Sequence, residues 1–141
     1  MPLEIQSDSV TFDEQKGSAT YVGHVVTTQG SRQLTSDTLV IFRDNHGKVE
    51  WLYATGHPAL FHAKPDPTKP MTSGQANIIK FFPKLDKVIL LKEATLIQNE
   101  QSIQGDNLIY SPSNHLLSAE PVPGKKTTVI LPPKTNSPSL Q

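Results

Sequence analysis

The sequence predicts an all-β domain, and three observations carry that reading. First, a small residue followed by Asp or Asn and then by apolar residues two and four positions on recurs four times. The copies are Ser7-Asp8 with Val10 and Phe12, Ser36-Asp37 with Leu39 and Ile41, Ala76-Asn77 with Ile79 and Phe81, and Gly105-Asp106 with Leu108 and Tyr110. Residues two apart on a strand share a face, so each copy reads as a turn-forming polar pair launching a strand with one apolar side. Second, about fifteen to nineteen residues after the Asx comes an apolar stretch broken by a short polar link and then resumed, as in Tyr21-Val22-Gly23-His24-Val25-Val26, Tyr53 to Leu60 and Leu90 to Leu96. Third, no window of eleven or more residues carries helical spacing. The copies start 29, 40 and 29 residues apart, and repeats of this length build stacked or solenoidal sheets in which one unit cannot bury its own apolar face.

Each element follows from local pattern. Leu3 and Ile5, then Val10 and Phe12, alternate with polar residues; Tyr21 to Thr28 is rich in β-branched and aromatic side chains. Thr38 to Phe42 leads into Asp44-Asn45-His46-Gly47, a hairpin turn because Asn and Gly accept positive φ, and Lys48 to Ala54 returns. Beyond the Pro-rich insertion Lys64 to Pro70 come strands over Ile78–Phe82, Lys87–Leu91, Ala94–Gln98, Ser102–Gly105, Leu108–Tyr110 and Leu116–Ala119. A last strand, Thr127 to Leu131, lies between Pro123-Gly124 and Pro132-Pro133. The expected total is about 14 to 16 short antiparallel strands in a sandwich or jelly roll. One domain spans 1–131, and the polar, Pro-rich 132–141 is expected to be disordered.

Composition narrows the function. Thirteen basic residues balance thirteen acidic ones, which removes the electrostatic footprint of a nucleic-acid binder. Cysteine is absent, so no disulfide or thiolate metal site is available. Met1-Pro2-Leu3-Glu4 lacks the regions of a signal peptide; an exported protein with this start would already have been cleaved, with Met1 an added residue. Hydrophobic residues are 35% of the chain, below the roughly 45–50% of globular domains, so the two sheets are not expected to close tightly. An open apolar groove suits a lipid chain, because each buried methylene contributes about 0.8 kcal/mol without directional contacts. The same apolar residues would also serve as plain core.

Catalytic chemistry finds little support. Four Asx residues at matching positions are better explained as turn caps, since an active site needs different groups converging on one place. His24, His46, His57, His62 and His115 are scattered without metal-ligand spacing, and His24 and His57 follow a Gly at equivalent points of the repeat. There is no phosphate loop, nucleophile elbow or H-E-x-x-H. Lys125-Lys126 reads most simply as a guard against edge aggregation, with an anion contact as the alternative.

Five stretches resemble one known family. They are Pro2 to Asp8, Tyr21 to Gly30, Gly56-His57-Pro58-Ala59-Leu60-Phe61, Ile103 to Tyr110 and Lys126 to Leu131, in order along nearly the whole chain. Together they resemble the OstA-like domain of the LptA family of periplasmic lipopolysaccharide-transport bridge proteins. The resemblance implies a jelly roll open at both ends, stacked head to tail as a homo-oligomer between inner- and outer-membrane components, with acyl chains of lipopolysaccharide (lipid A) inside, no catalysis and no cofactor. By position, Leu3, Ile5, Phe61 and Phe81 would touch lipid; the repeat register adds Phe12, Ile41, Ile79 and Tyr110. The edge for stacking would be Thr127, Thr128, Val129, Ile130 and Leu131. The insertion Lys64 to Pro70 and partly aliphatic positions depart from the family.

Two rivals stand beside this expectation. A structural or protein-interaction β module, such as a related domain of another component of the same machinery, would show no stabilisation by lipopolysaccharide. A carbohydrate-active enzyme would show carboxylates converging at a cleft.

Overall fold

Ten strands form a single antiparallel sheet in the structure, a computed structural model that describes residues 2–64, 68, 71–114 and 116–132. They are β1 (Glu4–Gln6), β2 (Ser9–Asp13), β3 (Ser18–Gln29), β4 (Arg32–Arg43), β5 (Val49–Ala63), β6 (Thr72–Phe82), β7 (Lys87–Gln98), β8 (Gln101–Ser111), β9 (Leu116–Ala119) and β10 (Thr128–Ile130). A 3-10 turn at Pro83–Leu85 joins β6 to β7. Strands β3 to β8 pair in sequence order; β1 and β2 share the free side of β3, and β9 and β10 share the free side of β8. The stretch 65–67 and 69–70 of the insertion, His115 and the tail from 133 lie outside the described residues.

The expected count of strands was high because each of the six long strands is bent in the middle. Registers slip between Val22 and Val25, Thr35 and Thr38, Thr55 and Ala59, Gln75 and Ile78, and Leu91 and Ala94. These slips line up across the sheet as a crease of β-bulges, each of which bends its strand and sharpens the local twist. Counting both halves of β3 to β8 with the four short strands returns sixteen segments. Two of those halves, residues 32–36 and 72–76, are too polar or small-chained to read as strands in the sequence.

The crease also changes the phase of burial. In β4 the inward residues are Leu34 and Ser36, then Leu39 and Ile41; in β6 they are Gly74 and Ala76, then Ile79 and Phe81. Without the extra residue, the second half of each strand would turn its apolar side to water. Thus only Asp8 of the four Asx residues precedes a strand, β2. Asp37, Asn77 and Asp106 sit in mid-strand at the crease, and Asp8 fills the gap where the edge strand is interrupted between β1 and β2.

Their partners are the polar links of the adjacent odd strands. Asp8 Oδ2 lies 2.8 Å from His24 Nδ1, Asp37 Oδ2 lies 3.4 Å from His57 Nδ1, Asn77 Nδ2 donates to Glu93 Oε2 at 3.5 Å, and the Glu93 backbone N–H donates to Asp106 Oδ1 at 3.1 Å. Gly23 has φ +88°, and a Cβ there would lie 2.4 Å from Asp8 Oδ2, so only glycine fits this corner. His24, Lys92 and Glu93 adopt positive φ at the same crease.

Folding about the crease brings the two halves of the sheet face to face. The inward row next to the crease in the second half is Val25, Ser36, Ala59, Ala76, Ala94 and Gly105. These short side chains let the opposing Leu39, Leu90 and Leu108 sink to full burial. Gly74 extends the same logic: a Cβ there would meet Phe61 Cδ1 at 2.9 Å and Leu90 Cδ2 at 3.0 Å. On the outer face, Trp51 stacks between Phe42 at 4.6 Å and Phe82 at 5.9 Å, because it alternates with the inward Leu52. The Asp44 turn is held by backbone N–H groups of His46 and Lys48 at 2.8 and 2.9 Å. With the Lys84 ammonium as the largest cause, these donors pull the Asp44 carboxyl down to about 2.

Two outcomes follow. Leu39→Ala empties a site with no solvent exposure and should lower unfolding free energy by about 2–5 kcal/mol in urea titration. The Asp8 carboxylate raises the His24 pKa, chiefly through its hydrogen bond, so Asp8→Asn should return His24 toward its ordinary value in a proton NMR titration. The stabilisation by this pair is complete below the unfolded histidine pKa and is lost as pH rises through the folded one.

Candidate functional site

An apolar groove runs between the two half-sheets, away from the crease. Its floor on the first half is the row Leu52, Phe81, Val88 and Tyr110, with Ile79 deeper; the facing row on the second half includes Thr27, Leu34 and Phe61. Toward the mouth stand Leu3, Gln29, Arg32 and Gln33 on one side and Pro112 on the other. The cavity volume is about 100 Å³.

Among the described residues the sheet does not close into a barrel: β1 and β2 form one edge and β9 and β10 the other. Inward rows therefore run from edge to edge. One reads Phe12, Ala19, Ile41, Leu52, Phe81, Val88, Tyr110, Leu117, and another reads Ile5, Thr27, Leu34, Phe61, Gly74, Leu96, Ile103, Val129.

Of the residues expected to meet lipid, Leu3, Phe61, Ile79, Phe81 and Tyr110 line the groove, and Ile5 lies on the Phe61 row, packed against the core. Ile41 shares the Phe81 row but is sealed in the core at 1% exposure, so it is core and not lining. Phe12 lies on the same row at the open edge and is 66% exposed. Of the expected stacking edge, Thr128 to Ile130 form β10, flanked by Thr127 and Leu131; Val129 is 50% exposed and Leu131 64%.

Sequence reasoning missed the polar end of the groove. Thr27 is 5% exposed, and its Oγ1 has no hydrogen-bond partner. Thr72, also buried in the lining but on β6, accepts a hydrogen bond from Gln98 Nε2 at 2.9 Å. Near the mouth, Asp86 is held below the usual carboxylate range, first by the Ser111 hydroxyl at 2.6 Å, then by Ser113, with the Arg32 charge adding to the effect. The available signal was alternation: Thr27 and Gln29 continue the inward set of β3 begun at Val25. Their polarity disguised it.

The comparisons agree with this architecture. A family model described as LptA/(LptD N-terminal domain) LPS transport protein matches residues 4–115. The lipopolysaccharide export system protein LptH of Pseudomonas aeruginosa is 32% identical over 127 residues, covering 90% of this chain and 73% of that protein. The export system protein LptA of Escherichia coli K12 is 32% identical over 134 residues, covering 94% of this chain and 71% of that protein. The crystal structure of LptH, described as the LptA-homologous periplasmic component of the lipopolysaccharide transport device, superposes with a TM-score of 0.85 at 29% identity, over 94% of this chain and 96% of that one. With the creased, edge-open jelly roll and the groove between its halves, these matches place the chain in the LptA/LptD N-terminal domain family of lipopolysaccharide transport proteins.

Proposed function

We propose that this chain is a non-enzymatic periplasmic lipopolysaccharide-binding transport protein, and that copies stack head to tail to bridge inner- and outer-membrane components. The observation that carries the reading is the set of inward apolar rows that reach both unpaired edges. Consecutive strands from β3 to β8 alternate in direction, β1 opposes β3 and β10 opposes β8. Hence β10 and β1 run in opposite directions, and a second copy displaced along the rows can set its β1 antiparallel beside the first copy's β10. Val129 then continues into Ile5 on one inward row, and Leu117 into Phe12 on another. Each edge supplies unpaired backbone groups that favour such addition, and a heterologous contact of this kind propagates without closing. The exposed Phe12 thereby gains a role as the rim of a groove that passes from copy to copy.

The rival reading is a structural or interaction module without its own lipid site, in which the inward apolar residues serve as core alone. Lipopolysaccharide labelling separates the two. Photocrosslinking groups at Ile5, Phe61 and Phe81 should label lipopolysaccharide, whereas a group at Asp44, on the 44–47 turn, should not; equal labelling would favour the rival. Deleting 126–141 removes β10 and should leave a folded species that sediments as a monomer at all concentrations. Persistent concentration-dependent oligomers in the truncated chain would show that stacking uses another edge.

A further inference from the structure

The apolar groove has one polar end. Thr27, Gln29 and Arg32 lie on the inward side of adjacent strands, with Gln29 directly opposite Arg32 and Thr27 directly opposite Leu34. Arg32 and Thr27 are therefore diagonal neighbours on one face, about 7–8 Å apart at the backbone. One feature of this end is unexplained by folding, and a second bears on what it could bind. A buried hydroxyl without a partner is costly, yet Thr27 Oγ1 is left so. Arg32 stands exposed at the mouth, in the lining of the groove, with no carboxylate within 4 Å among the described residues; Asp86, the acidic group that feels its charge, is occupied by Ser111 and Ser113.

We propose that Arg32 and Thr27 form a headgroup subsite at the mouth of the groove, for a phosphate-bearing acylated sugar. The Arg32 guanidinium donates to the phosphate, and the Thr27 hydroxyl donates to the ester or amide carbonyl that links the sugar to its first acyl chain. The proposal rests on the lipid reading of the groove and gives that lipid a direction: sugar at the mouth, chains along the Phe61 and Phe81 rows. Arginine suits the task because its planar fork matches phosphate geometry and keeps its charge at every physiological pH. A threonine placed between the mouth and the apolar rows meets the lipid where its polarity changes, since an acyl linkage carries a carbonyl and the chain beyond it carries none.

The test is calorimetric titration of the full chain with three probes: diphosphorylated lipid A in dilute detergent, the same lipid with its phosphates removed, and inorganic phosphate alone. The wild type should prefer the phosphorylated lipid by roughly tenfold, in keeping with a charge-assisted hydrogen bond, and this preference should shrink with added salt. Arg32→Gln should abolish the preference while leaving binding of the dephosphorylated lipid unchanged, and Arg32→Lys should recover part of it. Thr27→Val should weaken both lipids alike without lowering Tm, because no internal hydrogen bond is lost. A phosphate preference that survives Arg32→Gln overturns the subsite and leaves the groove reading intact. Arginine-dependent binding of inorganic phosphate alone overturns it in favour of a free-anion site. Failure of the wild type to bind either lipid overturns the lipid reading and the subsite together.

Discussion

Every long strand must change the parity of its buried residues halfway along, and the bulges that make this change at one aligned position are the constraint on which the rest of the structure depends. A flat ten-stranded sheet of this composition would leave one apolar face in water. Bending all six long strands at the same place lets the sheet cover its own face without a second sheet or a helix layer. The core therefore draws on both halves of the same strands, as Leu90 against Gly74 shows. Alignment is essential, because a bulge misplaced in one strand would break its ladder with both neighbours.

The crease is held from two sides. Inside, alanine, serine and glycine keep the bend thin enough for leucines to pack across it. Outside, Asx side chains reach the polar links of neighbouring strands and tie successive hairpins together. The outer contacts are exposed, and exposed ion pairs contribute little to stability; their value lies in fixing where each bend occurs. Burial of the leucines supplies the larger share, at about 1.5–3 kcal/mol for each large side chain.

Self-covering has a consequence for function. Because the sheet folds on itself along the strands and not around them, its first and last strands never meet. The roll keeps two free edges and an interior reached from both. A closed barrel of equal size would have sealed that interior. Transport of a long amphiphile along stacked copies fits this geometry, since the apolar rows reach the edges and one end of the groove carries polar side chains.

Much of this was legible in the sequence because the signals are local. The fourfold Asx pattern, the alternation after it and the resumed apolar stretches identify an all-β repeat, and they mark the crease at residue resolution even though the Asx residues look like strand starts. The Gly23-His24 and Lys92-Glu93 links are visible as interruptions. Ile79 and Tyr110 could be placed on an inward face by repeat register, and Leu3, Phe61 and Phe81 by their positions in the family resemblance. Only the tertiary structure decided that each interruption is a bend inside one strand, because a bulge and a loop leave the same gap in an apolar pattern and differ in whether the ladder continues. It also separated Ile41, sealed in the core, from Phe81 on the same row, since depth depends on how closely the opposite half approaches. The same cause hid Thr27 and Arg32: their side chains are polar, and only the folding of the sheet brings them to the mouth of an apolar groove.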